Sequence, residues 1–183
     1  MLGPTKEVIL HTSLVKVQAI LSTTPERWQK LVSTLPTELL TRAPAAGEWS
    51  ALNCLQHLVD AERMLFPVRC RALLVGQNFS DFDPQQQHAE TVSQTPEQLA
   101  ATFARDRQES LVLLRDIKDD DLERSTQHPN FGTVHLGELL HTWAAHDLNH
   151  TIQAERALMQ PFMQASGPWR TFFRDHELEA PKP

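Results

Sequence analysis

The chain has 183 residues, of which 40% are hydrophobic and 22% are charged, a balance typical of a soluble globular protein. Its 17 basic and 23 acidic residues give a formal net charge of −6, and no cluster of Lys and Arg stands out. Because duplex binding depends on cationic side chains that displace counterions, this balance argues against nucleic acid as a partner.

The sequence also lacks the features of a membrane or exported protein. No apolar run approaches the ~18 residues that a membrane span needs. The first residues show no charged segment followed by a long apolar stretch. We therefore expect a cytoplasmic protein with no membrane contact.

The two cysteines, Cys54 and Cys70, agree with that compartment. Both fall in one predicted helix, which would separate them by ~24 Å. That distance is far beyond the reach of a disulfide, so we expect two free thiols in a reducing environment.

The first part of the chain predicts helices. Apolar side chains recur at helical spacing over residues 6–22. A second helical segment covers about 24–34, and Pro25 leaves open whether the two are one kinked helix or two. A loop is predicted over 35–49.

The middle of the chain carries two clear helix starts. Ser50 caps a predicted helix over about 51–76. After a predicted loop over 78–94, the sequence Thr-Pro-Glu-Gln at 95–98 forms a capping box with a first-turn proline. The helix that begins there is predicted to run to about Ile117.

The last part of the chain predicts one more long helix. Residues 128–132 are typical of a turn, after which Thr133 caps a helix of about 134–159. A short helix is predicted around 169–174. We expect the prolines to lie between the helical segments. No segment shows the alternation of apolar and polar residues, with a period of two, that is typical of a strand. The sequence thus predicts an all-α, single-domain four-helix bundle over residues 1–183.

Nine histidines are the compositional oddity of the chain. His146 and His150 lie one helical turn apart on one face of the last long helix. That face continues as a core-facing stripe through Leu139, Trp143, His146, His150, Gln153 and Ala157. Since buried polar groups need partners, a metal ion shared by the two imidazoles would satisfy them.

His57 is the best candidate for a third ligand from another helix. It shares a face with Cys54, Ala61 and Met64, where the helix is otherwise apolar. Three imidazoles suit Zn, Ni, Co or Fe(II) and leave an open coordination position. The alternative is that these histidines are surface side chains, or core groups bonded to carbonyls, and bind no metal.

Three side chains near His57 in sequence have other predicted roles. Cys54 could approach a metal but is more typical of a small buried hydrophobe. Asp60, three residues after His57, is spaced to orient its imidazole. Glu62 faces elsewhere, which favours an ion pair with a charge on another helix.

The remaining histidines are not expected to join the same ion. His135 lies three turns from His146, ~16 Å along the helix. His141 points nearly opposite to His150, and the others fall in predicted loops or near the chain ends.

Two blocks of sequence resemble the DinB/YfiT-like superfamily. The first, GEWSALNCLQHLVDAE at 47–62, is similar to the "WS…H…E" start of the second helix of these proteins. The second, at 133–153, resembles their last-helix signature, His-x-x-x-His followed by Gln. Gly-Pro-Trp at 167–169 resembles a tail seen in many members, and the likeness covers about residues 20–174.

This resemblance implies a four-helix bundle with up-up-down-down connectivity, frequently as a homodimer. It implies a divalent metal held by three histidines, which map to His57, His146 and His150. Some relatives resemble thiol-dependent transferases that use bacillithiol, mycothiol or glutathione. Others resemble mycothiol-dependent isomerases of maleylpyruvate.

Three functional hypotheses follow. In the first, a metal-dependent enzyme activates a small-molecule thiol or a water to attack an electrophilic substrate, giving S-transfer or hydrolysis. In the second, the chain is a non-catalytic, metal-stabilised dimeric protein of a stress or binding function. In the third, no metal binds and the histidines form hydrogen-bonded core networks.

Overall fold

Long helices account for most of the chain. The structure, a computed structural model, describes residues 6–79 and 94–178. The predicted loop over 78–94 therefore lies almost wholly outside the described residues. The elements are α1 (Lys6–Thr34), α2 (Thr37–Thr41), α3 (Ala51–Met64), α4 (Phe66–Leu74), α5 (Pro96–Arg115), a 3-10 turn (Asp119–Glu123), β1 (Ser125–His128), β2 (Gly132–His135), α6 (Leu136–Ala165) and a 3-10 segment (Gly167–His176). None of the described helices is long and apolar enough to cross a membrane.

The long helices form a four-helix bundle, which confirms the predicted fold class. Helices α1 and α3 each pack against both α5 and α6. One end of the bundle joins the C-terminal halves of α1 and α6 to the N-terminal halves of α3 and α5. The other end joins the opposite halves of these helices, together with α4.

The direction of the helices differs from the up-up-down-down order implied by the resemblance. Since α1 and α6 run one way while α3 and α5 run the other, the order is up-down-down-up. The physical reason lies in the connections. The chain between Leu74 and Pro96 is long enough to return along the bundle, so α5 can run parallel to α3.

The predicted helix over 51–76 is interrupted at Leu65. Ser50 starts α3 as predicted, because its side chain accepts a bond from the Asn53 backbone N–H. The break comes from Pro67, which has no N–H and whose ring clashes with the carbonyl four residues earlier. The prediction that prolines fall between the helical segments is therefore wrong here.

Helix α1 is continuous from Lys6 to Thr34, although Pro25 lies inside it. This settles the open choice in favour of one helix. Because proline has no N–H, the carbonyl of Leu21 receives no bond from residue 25. The side chain of Arg107 on α5 donates to that carbonyl instead, at 2.9 Å from Nη1.

A small antiparallel hairpin precedes α6, where no strand was predicted. Its two strands have four residues each, and Val134 is their only large apolar residue, so the sequence shows no alternation of apolar and polar side chains. The predicted turn at 128–132 connects them. Thr133 consequently lies in β2, and α6 begins after His135, whose N–H donates to the Glu138 carboxylate at 2.8 Å.

Arg107 is the centre of a buried polar network between the two ends of the bundle. Its guanidinium is 1% exposed and pairs with Glu62 of α3 at 2.8 Å and Asp147 of α6 at 2.6 Å. The rings of Phe103 and Trp143 lie 4.9 and 5.4 Å from its central carbon. With its bond to α1, one side chain joins all four long helices.

We expect Arg107→Met to destabilise the protein by ~3–5 kcal/mol, because it leaves two carboxylates buried without their cation. Urea unfolding of wild type and variant measures this free energy. Arg105→Met is the matched control, since Arg105 is exposed on the same helix and pairs with its neighbour Asp106. Equal losses in the two variants would contradict the role given to the network.

Candidate metal centre

The structure brings His57, His146 and His150 together in one cluster. Each offers a ring nitrogen, and the three nitrogens lie within 4.8 Å of one another. The Nε2 atoms of His57 and His146 are 3.0 Å apart. In the described part of the chain, these three residues are the only group of His, Cys, Asp or Glu with this geometry.

Two helices create this arrangement. His146 and His150 lie one turn apart on α6, and their ring centroids are 4.4 Å apart. His57 approaches from α3, with its ring centroid 5.0 Å from that of His146 and 4.4 Å from that of His150. The three candidate ligands found from the sequence therefore share one site, as the metal hypothesis requires.

The site fits a divalent ion in its distances. Metal–nitrogen bonds of about 2.0–2.1 Å put tetrahedral ligand nitrogens roughly 3.4 Å apart. The cluster is within small side-chain adjustments of that spacing. All three histidines are partly exposed, so a fourth position can open to solvent or a small molecule.

Burial favours the neutral form of His146 and His150, which is the form that can bind a metal. Burial, together with the neighbouring His150, His57 and Arg107, lowers the pKa of His146 to about 3. Burial also lowers the pKa of His150, although Gln153 and Asp147 oppose the change. Little proton competition for these two ligands is expected at neutral pH.

Gln153 fixes the tautomer of His150. Its side-chain Oε1 lies 2.9 Å from His150 Nδ1, which must donate because the amide oxygen can only accept. The lone pair of His150 is then on Nε2, available to a metal. A hydrogen-bond acceptor behind a ligating imidazole is the usual way to orient such a ring.

Two aromatic side chains wall the cluster. The Trp49 ring centroid lies 5.0 Å from that of His57 and 5.7 Å from that of His150, where the rings stack. Phe66 lies 5.0 Å from His146 and stacks on Trp143. Phe66 reaches its place because the chain turns at the α3–α4 break.

The residues predicted near His57 have the following outcomes. Cys54 is fully buried outside the cluster, and burial raises the pKa of its thiol to about 12, as fits a small hydrophobe. Glu62 pairs with Arg107 of another helix, as predicted. Asp60 is buried and accepts a bond from Gln56 at 3.1 Å; its role toward His57 stays a prediction.

Sequence reasoning missed Arg107 and Asp147. Asp147 directly follows His146, so a signal for it lay within the histidine motif. Arg107 belongs to no motif, and only its burial in the folded chain reveals it. His135 and His141 lie outside the cluster, as predicted.

Comparison with known proteins gives the family. A model of the DinB superfamily matches residues 20–154, well over half of the chain. The chain belongs to the DinB superfamily. No curated protein matches the sequence significantly.

Among solved structures, this DinB protein is similar to YfiT from Bacillus subtilis. The TM-score is 0.70 at 18% sequence identity, over 88% of this chain and 91% of YfiT. YfiT is described as a probable metal-dependent hydrolase with an unusual four-helix bundle topology. At this identity the match shows that the two proteins share a fold.

A cavity of about 320 Å³ lies next to the histidine cluster of this DinB protein. Trp49 and Gln153 line it, and both contact His150. None of the three histidines lines it, so the cavity adjoins the cluster across these two side chains.

The low pKa of His146 predicts that acid weakens the metal-free fold. Between pH 6.5 and 3 the unfolded chain binds a proton that the folded chain excludes. The contribution of His146 to the free energy of unfolding is therefore expected to be complete above pH 6.5. It should be lost as the pH drops below that value.

Urea unfolding in EDTA between pH 7.5 and 5 measures this dependence. His146→Gln should decline less steeply than wild type. His141→Gln, an exposed histidine on the same helix, should follow wild type. Identical slopes for all three proteins would rule out the pKa shift as the cause.

Gln153→Leu should weaken metal binding by about 10–100-fold, because His150 loses the acceptor that orients it. Competition with a zinc-binding dye measures the affinity. Gln160→Leu is the control, since Gln160 lies on the same helix and bonds to backbone carbonyls away from the cluster. Unchanged zinc affinity in Gln153→Leu would contradict the orienting role.

Proposed function

We propose that this DinB protein is a metal-dependent enzyme that acts on a small molecule, with hydrolysis as its reaction. One divalent ion would be held by His57, His146 and His150. The observation that carries the proposal is the convergence of ring nitrogens from three partly exposed histidines within 4.8 Å of one another. A purely structural site would be expected to have a fourth protein ligand, which the described residues do not supply.

The donor set limits the ion to a few metals. Three imidazoles suit Zn, Ni, Co or Fe(II), and the choice among them depends on availability as well as affinity. A hard ion such as Mg²⁺ prefers oxygen ligands, which this cluster lacks among the described residues.

An ion at three imidazoles supplies Lewis acidity, which makes water or a thiol nucleophilic near neutral pH. The side chains of the site have separate tasks. Gln153 holds His150 in the ligating tautomer, and burial keeps His146 free of a proton. Trp49 and Phe66 pack against the cluster from two sides and would shield it from bulk water.

Hydrolysis and thiol transfer would use the same centre and differ in the nucleophile. The description of YfiT as a probable metal-dependent hydrolase favours water. The family resemblance also allows a small-molecule thiol that attacks an electrophilic substrate. In both reactions the three histidines act as ligands only.

The alternative is a non-catalytic, metal-stabilised protein of a stress or binding function. Such a protein would not need exposed ligands or a cavity beside them, and the partial exposure of all three histidines favours the enzyme. From the family resemblance we also propose a cytoplasmic homodimer. Sedimentation velocity tests the dimer.

Metal content is the decisive measurement. Untagged protein purified without nickel resin should contain about one equivalent of divalent metal per chain by mass spectrometry. His146→Ala should lose it, because two imidazoles remain. His141→Ala, which removes an exposed histidine outside the cluster, should retain it.

Activity separates the two functions once the metal is established. Small esters and amides, and glutathione with 1-chloro-2,4-dinitrobenzene, test hydrolysis and S-transfer. Activity should vanish with a chelator and return with the ion. Full occupancy without turnover of either class would favour the non-catalytic alternative, and wild type that binds none of the four metals at micromolar concentration would exclude both.

A further inference from the structure

The cavity beside the histidine cluster contains a cation that has no ion-pair partner in the part of the chain that the structure describes. Arg156 of α6 lines it, one turn beyond Gln153. The side chain is only partly exposed, and its Nε is buried with no hydrogen-bond partner. Among residues 14–79 and 94–178, whose side chains the structure describes, no carboxylate forms an ion pair with Arg156.

An arginine in this state favours an anionic ligand. A partly buried guanidinium has lost some of its hydration, and an unpaired donor in such a place costs free energy. A ligand oxyanion would return the lost hydrogen bonds. The planar guanidinium can donate two parallel hydrogen bonds to a carboxylate. A single arginine at the pocket wall is therefore enough to bind that group.

The other walls narrow the class of anion. Glu48 also lines the cavity, and its negative charge disfavours a doubly charged group such as a phosphate monoester. Trp49, Ile152 and Leu178 offer apolar surface to a small hydrocarbon body. Asn149 adds an amide for a second polar contact.

We infer that this cavity is a binding site for a small monocarboxylate, anchored by Arg156. The role of this site in catalysis rests on the proposed function. Under that function, the carboxylate is the non-reacting end of the substrate. Its reacting end would pass Trp49 and Gln153, which separate Arg156 from the cluster, to reach the three histidines. The substrate class would then be a small ester or amide that carries a free carboxylate.

Benzoate is the probe for this site, with neutral benzamide and dianionic phenyl phosphate as its analogues. Titrations followed by proton–nitrogen NMR use the full chain, both metal-free and zinc-loaded. The Trp49 indole N–H, assigned with Trp49→Phe, reports the cavity. Benzoate should shift it in both forms and bind more tightly than either analogue.

The variants test the anchor. Arg156→Gln should weaken benzoate about tenfold, and Arg156→Lys by less, because it keeps the charge but loses the planar pair of donors. Arg71→Gln, which removes an exposed arginine from α4, should bind as wild type does. The spectra also report whether each variant is folded.

Three outcomes would overturn the inference: equal binding of benzoate and benzamide, tighter binding of phenyl phosphate, or benzoate affinity unchanged in a folded Arg156→Gln. Benzoate binding that needs zinc and ignores Arg156 would overturn it too, while leaving the proposed function intact. Arg156-dependent binding in a chain that takes up none of Zn, Ni, Co or Fe(II) would support the carboxylate site and refute the metal-dependent enzyme.

Discussion

The buried charge of Arg107 is the constraint on which the rest of the bundle depends. Removing a guanidinium from water is costly, and only a complete set of partners offsets that cost. Glu62 and Asp147 supply the opposite charges, and the two aromatic rings beside the guanidinium complete its surroundings. Since these partners come from different helices, the four helices must pack in one arrangement for all of them to be satisfied.

This constraint also reaches the histidine cluster. Asp147 is bonded to Arg107 and is adjacent in sequence to His146, so the ion pair limits rotation of α6 at His146. On α3, the hydrogen bond that Arg107 donates to Glu62 similarly limits rotation of the helix that carries His57. The same cation contributes to the low pKa of His146. One side chain thus contributes both to core stability and, in smaller part than burial, to the neutral state of His146.

The sequence predicted those features that depend on interactions within one or two helical turns. The caps at Ser50 and Thr95 begin α3 and α5 where expected, because each satisfies backbone N–H groups within one turn. The face shared by His146 and His150 follows from helix geometry alone. The break at Leu65 was also local, and the proline that causes it was overlooked. The helix directions, the hairpin and the place of Arg107 depend on contacts between distant segments, which one sequence does not display.

Pro25 has a consequence for how α1 and α5 align. Because residue 25 offers no N–H, the helix cannot satisfy the Leu21 carbonyl by itself, and that oxygen becomes a fixed acceptor on the surface of α1. A shift of α5 along α1 by one turn, about 5.4 Å, would move Arg107 away from this oxygen. The oxygen would then be buried without a hydrogen-bond donor. Proline is usually regarded as a helix breaker. Here it helps to fix the register between α1 and α5, because a shifted packing loses a hydrogen bond that an uninterrupted helix would not need.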